Sequence, residues 1–386
     1  MTKTAELALI FLRLGLTAFG GPAAHIALMR QEFVERRGWL TEAEFLDLLG
    51  ASHLIPGPSS TEMAIHIGWR RAGGFGLVLA GTCFILPAAL MVCAFAWAYV
   101  RFGRLPQVAG ALHGVEAVIV AVVAQALWAL GRTAWKSRPL ALLGIAATAL
   151  AAIGIGPLPV LFGAGLVTGV TQWASAGRIG GVRPVLILGT VTTAFLAVPA
   201  LLARAAQHDT AFGLLSLLLV FLKLGATVFG SGYVLLAYLR DDLVTRLHWL
   251  TSQQLLDAVA VGQVTPGPVF TTATFIGYLK AGPAGALVAT LGIFLPGFVF
   301  VAAGGPLLPR LRRAPMTSAF LDGVNAAAVA LMVVVTWQLA RAVLTDWAMF
   351  GATLVSLFLL LRFHINSAWL VLGGALLGLM LPVHRT

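Results

Sequence analysis

Apolar residues run along this chain in stretches of about the length that crosses a bilayer, separated by short clusters of Arg, Lys, Asp and Glu. Phe75–Val100, Gln107–Trp128, Pro184–Leu202, Ala284–Ala303 and Thr317–Leu339 are examples. The pattern predicts an all-α, polytopic membrane protein with little room for a soluble domain. The first apolar stretch carries Arg13 inside it and is not followed by a small-residue cleavage pattern. It is therefore expected to be a helix of the mature chain rather than a cleaved signal.

The pattern also repeats. Slid by 210 positions, Phe11-Leu12-Arg13-Leu14-Gly15-Leu16-Thr17-Ala18-Phe19-Gly20-Gly21 meets Phe221-Leu222-Lys223-Leu224-Gly225-Ala226-Thr227-Val228-Phe229-Gly230-Ser231. Arg30 meets Arg240, Arg36 meets Arg246, Trp39-Leu40-Thr41 meets Trp249-Leu250-Thr251, and Asp47 meets Asp257. Pro56-Gly57-Pro58 meets Pro266-Gly267-Pro268. With one residue dropped, Gly68, Gly76, Pro87, Gly114 and Trp128 meet Gly277, Gly285, Pro296, Gly323 and Trp337. Apolar runs coincide by chance, but Trp, Arg, Asp and Pro-Gly-Pro in register do not.

Each unit is expected to hold six hydrophobic segments, near 6–30, 41–71, 74–100, 107–135, 139–155 and 157–174, then 211–240, 251–280, 283–304, 315–341, 344–362 and 366–382. Pro184–Leu202 has no counterpart and reads as a linker helix. The expected organisation is a first repeat over 1–175, a linker over 176–210 and a second repeat over 211–386. Six crossings plus one would invert the second unit, as in many secondary transporters. Arg70/Arg71, Arg132/Lys136/Arg138, Arg178/Arg183, Arg240/Arg246 and Arg310/Arg312/Arg313 would then share the cytoplasmic side with the N-terminus. Arg30/Arg36/Arg37 fall on the other side. A re-entrant second segment would instead make the units parallel with about as good a charge bias, so charge leaves the topology open.

The second segment of each unit carries the candidate chemistry. Thr41 followed by Glu44, and Thr251 followed by Gln254, predict helix starts closed by capping boxes. Each helix is then stopped by Pro56-Gly57-Pro58 or Pro266-Gly267-Pro268, because proline lacks the amide hydrogen and disfavours helix before it. A new helix begins at or just after the second proline. Each half covers only about 20 Å, so neither spans alone, while the two end to end would span with the break near the midplane. Unwound backbone at that depth must be buried or line a cavity. The amides of Ser59, Ser60 and Thr61, with three hydroxyls beside them, form a positive helix end suited to an oxyanion. In the copy, Gln263 and Thr265 precede the break, and Thr271 and Thr272 follow it. The structural alternative is a kinked packing helix.

The first segments are interrupted at Phe19-Gly20-Gly21-Pro22 and Phe229-Gly230-Ser231-Gly232. These interruptions serve equally as a packing notch or as part of a site. Arg13 and Lys223 align about two turns earlier, where positive charge suits an anion path and snorkelling to an interface is the alternative. Two helix ends offer about one unit of charge against a dianion, and these two cations would make up the difference. Glu62 and His66, four residues apart on one helix face, either carry a proton or pair with each other; their counterparts are Thr272 and Phe275. His113 and Glu116 align with Asp322 and Asn325, as polar packing contacts or as substrate contacts.

Composition narrows the function. Only 10% of residues are charged and 59% are hydrophobic. The net charge of +11 fits basic cytoplasmic loops or an anionic substrate. The scatter of basic residues over short loops argues against nucleic acid as a partner. Cys83 and Cys93 lack CxxC spacing and read as structural thiols. No HExxH, G-x-S-x-G or Walker sequence is present, which argues against an enzyme or a nucleotide-driven pump. A membrane scaffold or sensor would not need paired broken helices.

Taken together, Phe19-Gly20-Gly21-Pro22 with His25 following, Arg36-Arg37 before Trp39-Leu40, and Leu54-Ile55-Pro56-Gly57-Pro58-Ser59-Ser60-Thr61-Glu62 resemble the chromate ion transporter (CHR) family in its long-chain, two-domain form. Gly68 through Pro87 extend the resemblance, which covers nearly the whole chain. It implies a multi-pass protein of the inner cell membrane that exports chromate from the cytoplasm, driven by membrane potential or proton gradient, without a cofactor. It also implies sulfate as a competing look-alike, and single-unit relatives that insert in opposite orientations, which favours the inverted arrangement. Uptake or exchange of sulfate or another oxyanion is the alternative in the same class, and a homodimer stays open. The second unit departs from the pattern at Ser231-Gly232 and lacks the Ser-Ser-Thr-Glu run, so equal roles for the two halves do not follow.

Overall fold

A computed structural model describes residues 2–19, 21–103, 105–175, 213–229, 232, 234–304, 315–363, 365 and 367–380. The expected linker helix Pro184–Leu202, Gly20, Arg178/Arg183 and Arg310/Arg312/Arg313 lie outside them. Every regular element described is a helix. The first unit runs α1 (Lys3–Thr17), α2 (Gly21–Arg30) with a π-helical turn Gln31–Arg36, α3 (Glu42–Ser52), α4 (Ser59–Phe102), α5 (Pro106–Ala134), α6 (Arg138–Ala152) and α7 (Pro157–Ser175). The second runs α8 (Leu214–Thr227), α9 (Val234–Leu239) with a π-helical turn Arg240–Arg246, α10 (Ser252–Val264), α11 (Thr272–Gly304), α12 (Pro315–Val343), α13 (Trp347–Phe363) and α14 (Ser367–Met380).

Four of these helices are long and apolar enough to cross a membrane: Ser59–Phe102, Gln107–Ala134, Val269–Gly304 and Pro315–Val343. Two of them turn back within their length. Ala72 and Gly73 in α4, and Ala281 and Gly282 in α11, leave helical geometry with near-identical angles (Gly73 φ 61, Gly282 φ 59). Each helix therefore consists of a short first arm, a sharp turn and a long second arm. The arms lie close because the residues between them are glycines. A Cβ on Gly68 would come 2.9 Å from the carbonyl carbon of Gly76, and one on Gly277 would come 2.7 Å from that of Gly285.

The two halves of each broken segment do not add end to end. Glu44, at the start of α3, pairs with Arg70, at the end of the first arm of α4. As one straight helix those residues would stand about 39 Å apart. In the copy, the Lys280 ammonium donates to the Trp249 carbonyl at 2.8 Å. The first segments fold back as well. Arg13 meets Glu32 at 2.6 Å, Phe11 stacks on Phe33 with centroids 5.3 Å apart, and Lys223 meets Asp242 at 2.6 Å. Each unit thus opens with two helical hairpins, followed by long helices. These contacts correct the expectation that the halves jointly span: the segment folds back as in the re-entrant alternative, and because the first segment folds back too, parallel units no longer follow from it.

The capping boxes are present as expected. The Glu44 amide donates to Thr41 Oγ1 at 3.2 Å and the Thr41 amide donates to Glu44 Oε2 at 2.9 Å. Gln254 and Thr251 repeat the exchange at 3.1 and 3.0 Å. The Thr41 amide first, then its hydroxyl, hold the Glu44 carboxyl below its ordinary pKa.

The units clasp each other. α5 packs against α13 and α14, and α12 packs against α6 and α7. Small residues allow the approach: a Cβ on Gly114 would lie 2.7 Å from the Gly378 amide nitrogen, and one on Gly323 would lie 2.5 Å from the Ala164 carbonyl oxygen. Because Gly114 and Gly323 are aligned positions, the exchange is reciprocal.

Candidate functional site

The two proline-glycine breaks are the tips of the second hairpins, and each tip is bonded to the other unit. The Gly57 amide donates to the Val228 carbonyl at 2.7 Å, and the Gly267 amide donates to the Ala18 carbonyl at 2.9 Å. Val228 and Ala18 end α8 and α1, the first arms of the opposite units' first hairpins. Both glycines hold positive φ, 133° for Gly57 and 89° for Gly267, a region open to glycine and closed to most side chains. Pro56 and Pro58, and Pro266 and Pro268, flank them without amide hydrogens, so each tip has one donor at its centre and spends it on the partner unit. Gly21 also has positive φ, 76°, where α2 restarts after α1.

Below the first tip the helix resumes with Pro58 ahead of it. The Thr61 and Glu62 amides already close onto the Pro58 carbonyl, at 2.7 and 3.1 Å. Only Ser59 and Ser60 stand ahead of the first intrahelical bond, which corrects the expectation of three free amides. Ser59, Ser60 and Thr61 are all buried. The Thr61 hydroxyl, both Glu62 carboxyl oxygens and His66 Nε2 are buried without a hydrogen-bond partner. Glu62 is fully enclosed, with Gly57 on one side and Gly297 of α11 on the other. Glu62 and His66 share a face but do not bond to each other. Unpaired polar atoms at such depth are costly, and the Glu62 carboxyl lies against Gly57 of the tip.

The second tip is built differently. A 3-10 turn, Val269–Thr271, precedes α11. Thr271 and Thr272 donate to the carbonyls of Pro268 and Val269, both at 2.8 Å, and Thr265 donates to Val261 at 2.9 Å. These hydroxyls serve their own backbone. Gln263 is buried beside Thr272 and Gly232. The repeat therefore preserves the backbone of the site, while the hydroxyls of Thr265, Thr271 and Thr272 at the second break are engaged and the Thr61 hydroxyl and Glu62 carboxyl at the first are not.

Arg13 and Lys223 each have a carboxylate of their own unit. Arg13 bonds to Glu32, which also accepts from Arg36 and Arg37 at 3.0 and 2.7 Å. Lys223 donates to both oxygens of Asp242, at 2.6 and 2.7 Å, and Arg246 joins at 3.0 Å. Sequence reasoning missed Glu32 and Asp242, although they stand at the same 210-residue offset, four before Arg36 and Arg246. The pairs differ in setting: the Arg13 side chain is 50% exposed and that of Lys223 is 6% exposed.

The fourth-segment residues make contacts between units. Gln253 donates to buried Glu116, His113 lies 3.5 Å from it, and Lys136 pairs with Asp322 at 2.9 Å. Tyr99 also crosses over, donating to Asp257 at 2.7 Å. Cys83 and Cys93 are free. His25, which the sequence marked as part of the family resemblance but not as a site residue, is buried between the tips, and its ring reaches both Ser60 and Ala18.

Comparison with known proteins adds to this geometry. The family described as chromate transporter matches the chain twice, over residues 5–170 and 215–379. The chain is 35% identical over 378 residues to the chromate transport protein of Cupriavidus metallidurans, covering 97% of this chain and 92% of that one. It is 34% identical over 347 residues to the chromate transport protein of Pseudomonas aeruginosa, covering 86% and 80% respectively. No solved structure matches it.

Proposed function

The chain belongs to the chromate transporter family, and from that premise we propose that it carries chromate through the junction of its four hairpin tips. It is a multi-pass membrane transporter rather than an enzyme. The observation that carries the reading is the reciprocal pair of bonds, Gly57 to Val228 and Gly267 to Ala18, which gathers both breaks at one centre. There the Ser59 and Ser60 amides and the hydroxyls of Ser59, Ser60 and Thr61 offer donors to a tetrahedral dianion, and Gly21, Pro56, Pro58, Pro266, Pro268 and Thr271 shape the surrounding backbone. Sulfate, with the same shape and charge, competes. Glu62 and His66 bear on coupling: an ionised Glu62 would repel the substrate, so the site holds the anion and a Glu62 proton together.

Arg13 and Lys223 enter this reading by closing the first hairpins on Glu32 and Asp242, which keeps the tips in position, rather than by touching the anion. The direction is export across the inner membrane. A potential of 100 mV, negative inside, favours outward movement of an uncompensated dianion by about 4–5 kcal/mol.

The two units are inverted in this proposal. The second arm of α4 begins beside its own hairpin bases, with Leu77 packed near Ile65 and Val301. At Ala88 it passes the opposite tip, where a Cβ on Gly267 would come 2.7 Å from Ala88 Cβ. Farther on, Tyr99 reaches Asp257 and packs on Phe275 with centroids 5.2 Å apart. Those residues lie on the way from the second unit's tips to its bases, so the course of one helix supports hairpins entering from opposite faces.

Counterflow of labelled chromate and labelled sulfate in proteoliposomes tests the function. The expected result is exchange of both anions, lost when Ser59 and Ser60 are replaced together by alanine at unchanged protein level. Full exchange by that double variant would remove the first tip from the reading.

A further inference from the structure

We propose that His25 is a proton-operated positioning residue that controls whether the Ser60 hydroxyl is available to the transported oxyanion. The inference rests on the assignment of the first tip as the anion site. His25 lies on α2, is 1% exposed and contacts three elements. Its Nε2 is 3.0 Å from the Ala18 carbonyl, its Nδ1 is 3.2 Å from Ser60 Oγ, and the Phe84 ring stands edge-on to it, 5.6 Å away at 89°. The same Ala18 carbonyl accepts the Gly267 amide of the opposite tip, so His25 sits at the bond that joins the units.

The hydrogen-bond chemistry leaves one arrangement for each charge state. A carbonyl oxygen only accepts, so Nε2 carries a hydrogen and donates to Ala18 in either state. In the neutral ring Nδ1 then has a lone pair, and Ser60 must donate to it. The Ser60 hydrogen is spent on the histidine. In the protonated ring Nδ1 also carries a hydrogen and donates to Ser60 Oγ, and the hydroxyl hydrogen is released to another acceptor. A dianion at the helix end is such an acceptor, and the positive imidazolium nearby adds to its stabilisation. Binding of the anion and protonation of His25 therefore favour each other, and by linkage each raises the affinity for the other by the same factor.

Among the described residues, no charged group of the neighbouring elements touches the ring. α1 presents the Ala18 carbonyl, the first arm of α4 presents Ser60, and the second arm presents Phe84. Besides His25, the ionisable residues on these elements are Lys3, Glu6 and Arg13 of α1, Arg30 of α2, Glu62, His66, Arg70 and Arg71 of the first arm of α4, and Cys83, Cys93, Tyr99 and Arg101 of its second arm; Glu32, in the turn after α2, pairs with Arg13. The device belongs to the first unit alone: at the 210-residue offset, His25 and Ser60 correspond to Leu235 and Phe270.

The test is equilibrium binding of labelled chromate to the full-length protein in nanodiscs, from pH 5.5 to 8.5. Wild type, His25→Gln, Ser60→Ala and the double variant are compared, each first checked by its melting temperature. Glutamine keeps a donor for Ala18 and an acceptor for Ser60, so it imitates the neutral ring at every pH. Chromate's own protonation is common to all four proteins and cancels in the comparison. As pH falls, wild type is expected to gain affinity more steeply than His25→Gln, by up to about tenfold per pH unit. His25→Gln loses that increment, Ser60→Ala loses the part carried by the hydroxyl, and the double variant loses no more than His25→Gln alone. At the acidic end each single variant binds about tenfold more weakly than wild type. An unchanged pH slope in His25→Gln, or additive losses in the double variant, overturns the proposal while leaving the anion site standing. Ser60→Ala with wild-type affinity at every pH also overturns the proposal, while the Ser59 and Ser60 double alanine variant tests the anion site separately. If His25→Gln fails to fold, the slope in Ser60→Ala decides, because that variant keeps the His25–Ala18 bond; a wild-type slope there overturns the proposal.

Discussion

Removing the carboxylate of Asp242 leaves the Lys223 ammonium, with 6% of its side chain exposed, without its principal counter-charge. An uncompensated buried charge costs about 3–5 kcal/mol, so Asp242→Asn is expected to lower the melting temperature severely. Glu32→Gln is expected to cost less, because the Arg13 side chain is half-exposed and can keep solvent. Replacing Lys223 and Asp242 together by Met and Leu should recover most of the lost stability. Thermal unfolding in detergent, followed by size-exclusion chromatography, checks all three; equal losses at Asp242 and Glu32 would contradict the difference in burial. Arg13 and Lys223 were legible in the sequence as intramembrane cations, and the acids were not singled out. Glu32 and Asp242 lie 19 residues from their partners, a separation at which neighbours on a straight helix do not meet.

Hairpin closure is the decisive event at the scale of elements. Proline and glycine in register announce that a helix stops, but they do not set the angle at which the next one leaves. That angle is set where the hairpins end, by Arg70 on Glu44, by Lys280 on the Trp249 carbonyl, and by the Arg71 guanidinium 4.1 Å from the centroid of Trp39. Cysteines introduced at Glu44 and Arg70 should therefore be joined in the folded protein by a short bifunctional maleimide, which spans the gap between paired long side chains that a disulfide does not. Failure to cross-link would restore the end-to-end helix, in which they are about 39 Å apart. The tips carry a second prediction. Alanine at Gly267 would meet Ala88 Cβ at 2.7 Å and be held at a φ of 89°. Strain of this kind costs about 1–3 kcal/mol, so Gly267→Ala is expected to reduce chromate exchange with the protein still inserted. Wild-type exchange would show that the tip tolerates a side chain.

For the whole molecule, inversion and interlocking are separable and separately testable. Gly38 and His248 occupy aligned turns with φ of 59° and 51° between the first and second hairpins. Gly38→Cys and His248→Cys should label from opposite sides of the membrane with an impermeant maleimide; labelling from one side would make the units parallel. The two units are also unequally covered. In the first, Leu46 is 49% exposed and Asp47 is exposed, whereas their counterparts Leu256 and Asp257 are 1% and 2% exposed. Cysteine at 47 should therefore react readily and cysteine at 257 should not. The interlock depends on Gly114 against Gly374 and Gly378, and on Gly323 against Ala164. A bulky residue at Gly114 forces the α5–α14 crossing apart.

Local patterns along the chain were enough to specify membrane helices from hydrophobic run length and duplication from residues in register. They also specified capped helix starts from Thr with Glu or Gln three later, and breaks from proline around glycine. Each depends on neighbours within a few residues or on self-similarity, so one dimension suffices. Folding in three dimensions was needed to decide that the halves fold back, that Thr61's amide is engaged, and that the hydroxyls of the second break bond to their own backbone. It also decided that each tip bonds to the opposite unit and that His25 bridges Ala18 and Ser60. These are contacts between residues as far apart as Gly57 and Val228, or Gly267 and Ala18. Nothing in the local pattern of either partner specifies the other, because buried polar groups take whichever donor or acceptor the packing of the whole chain brings within reach.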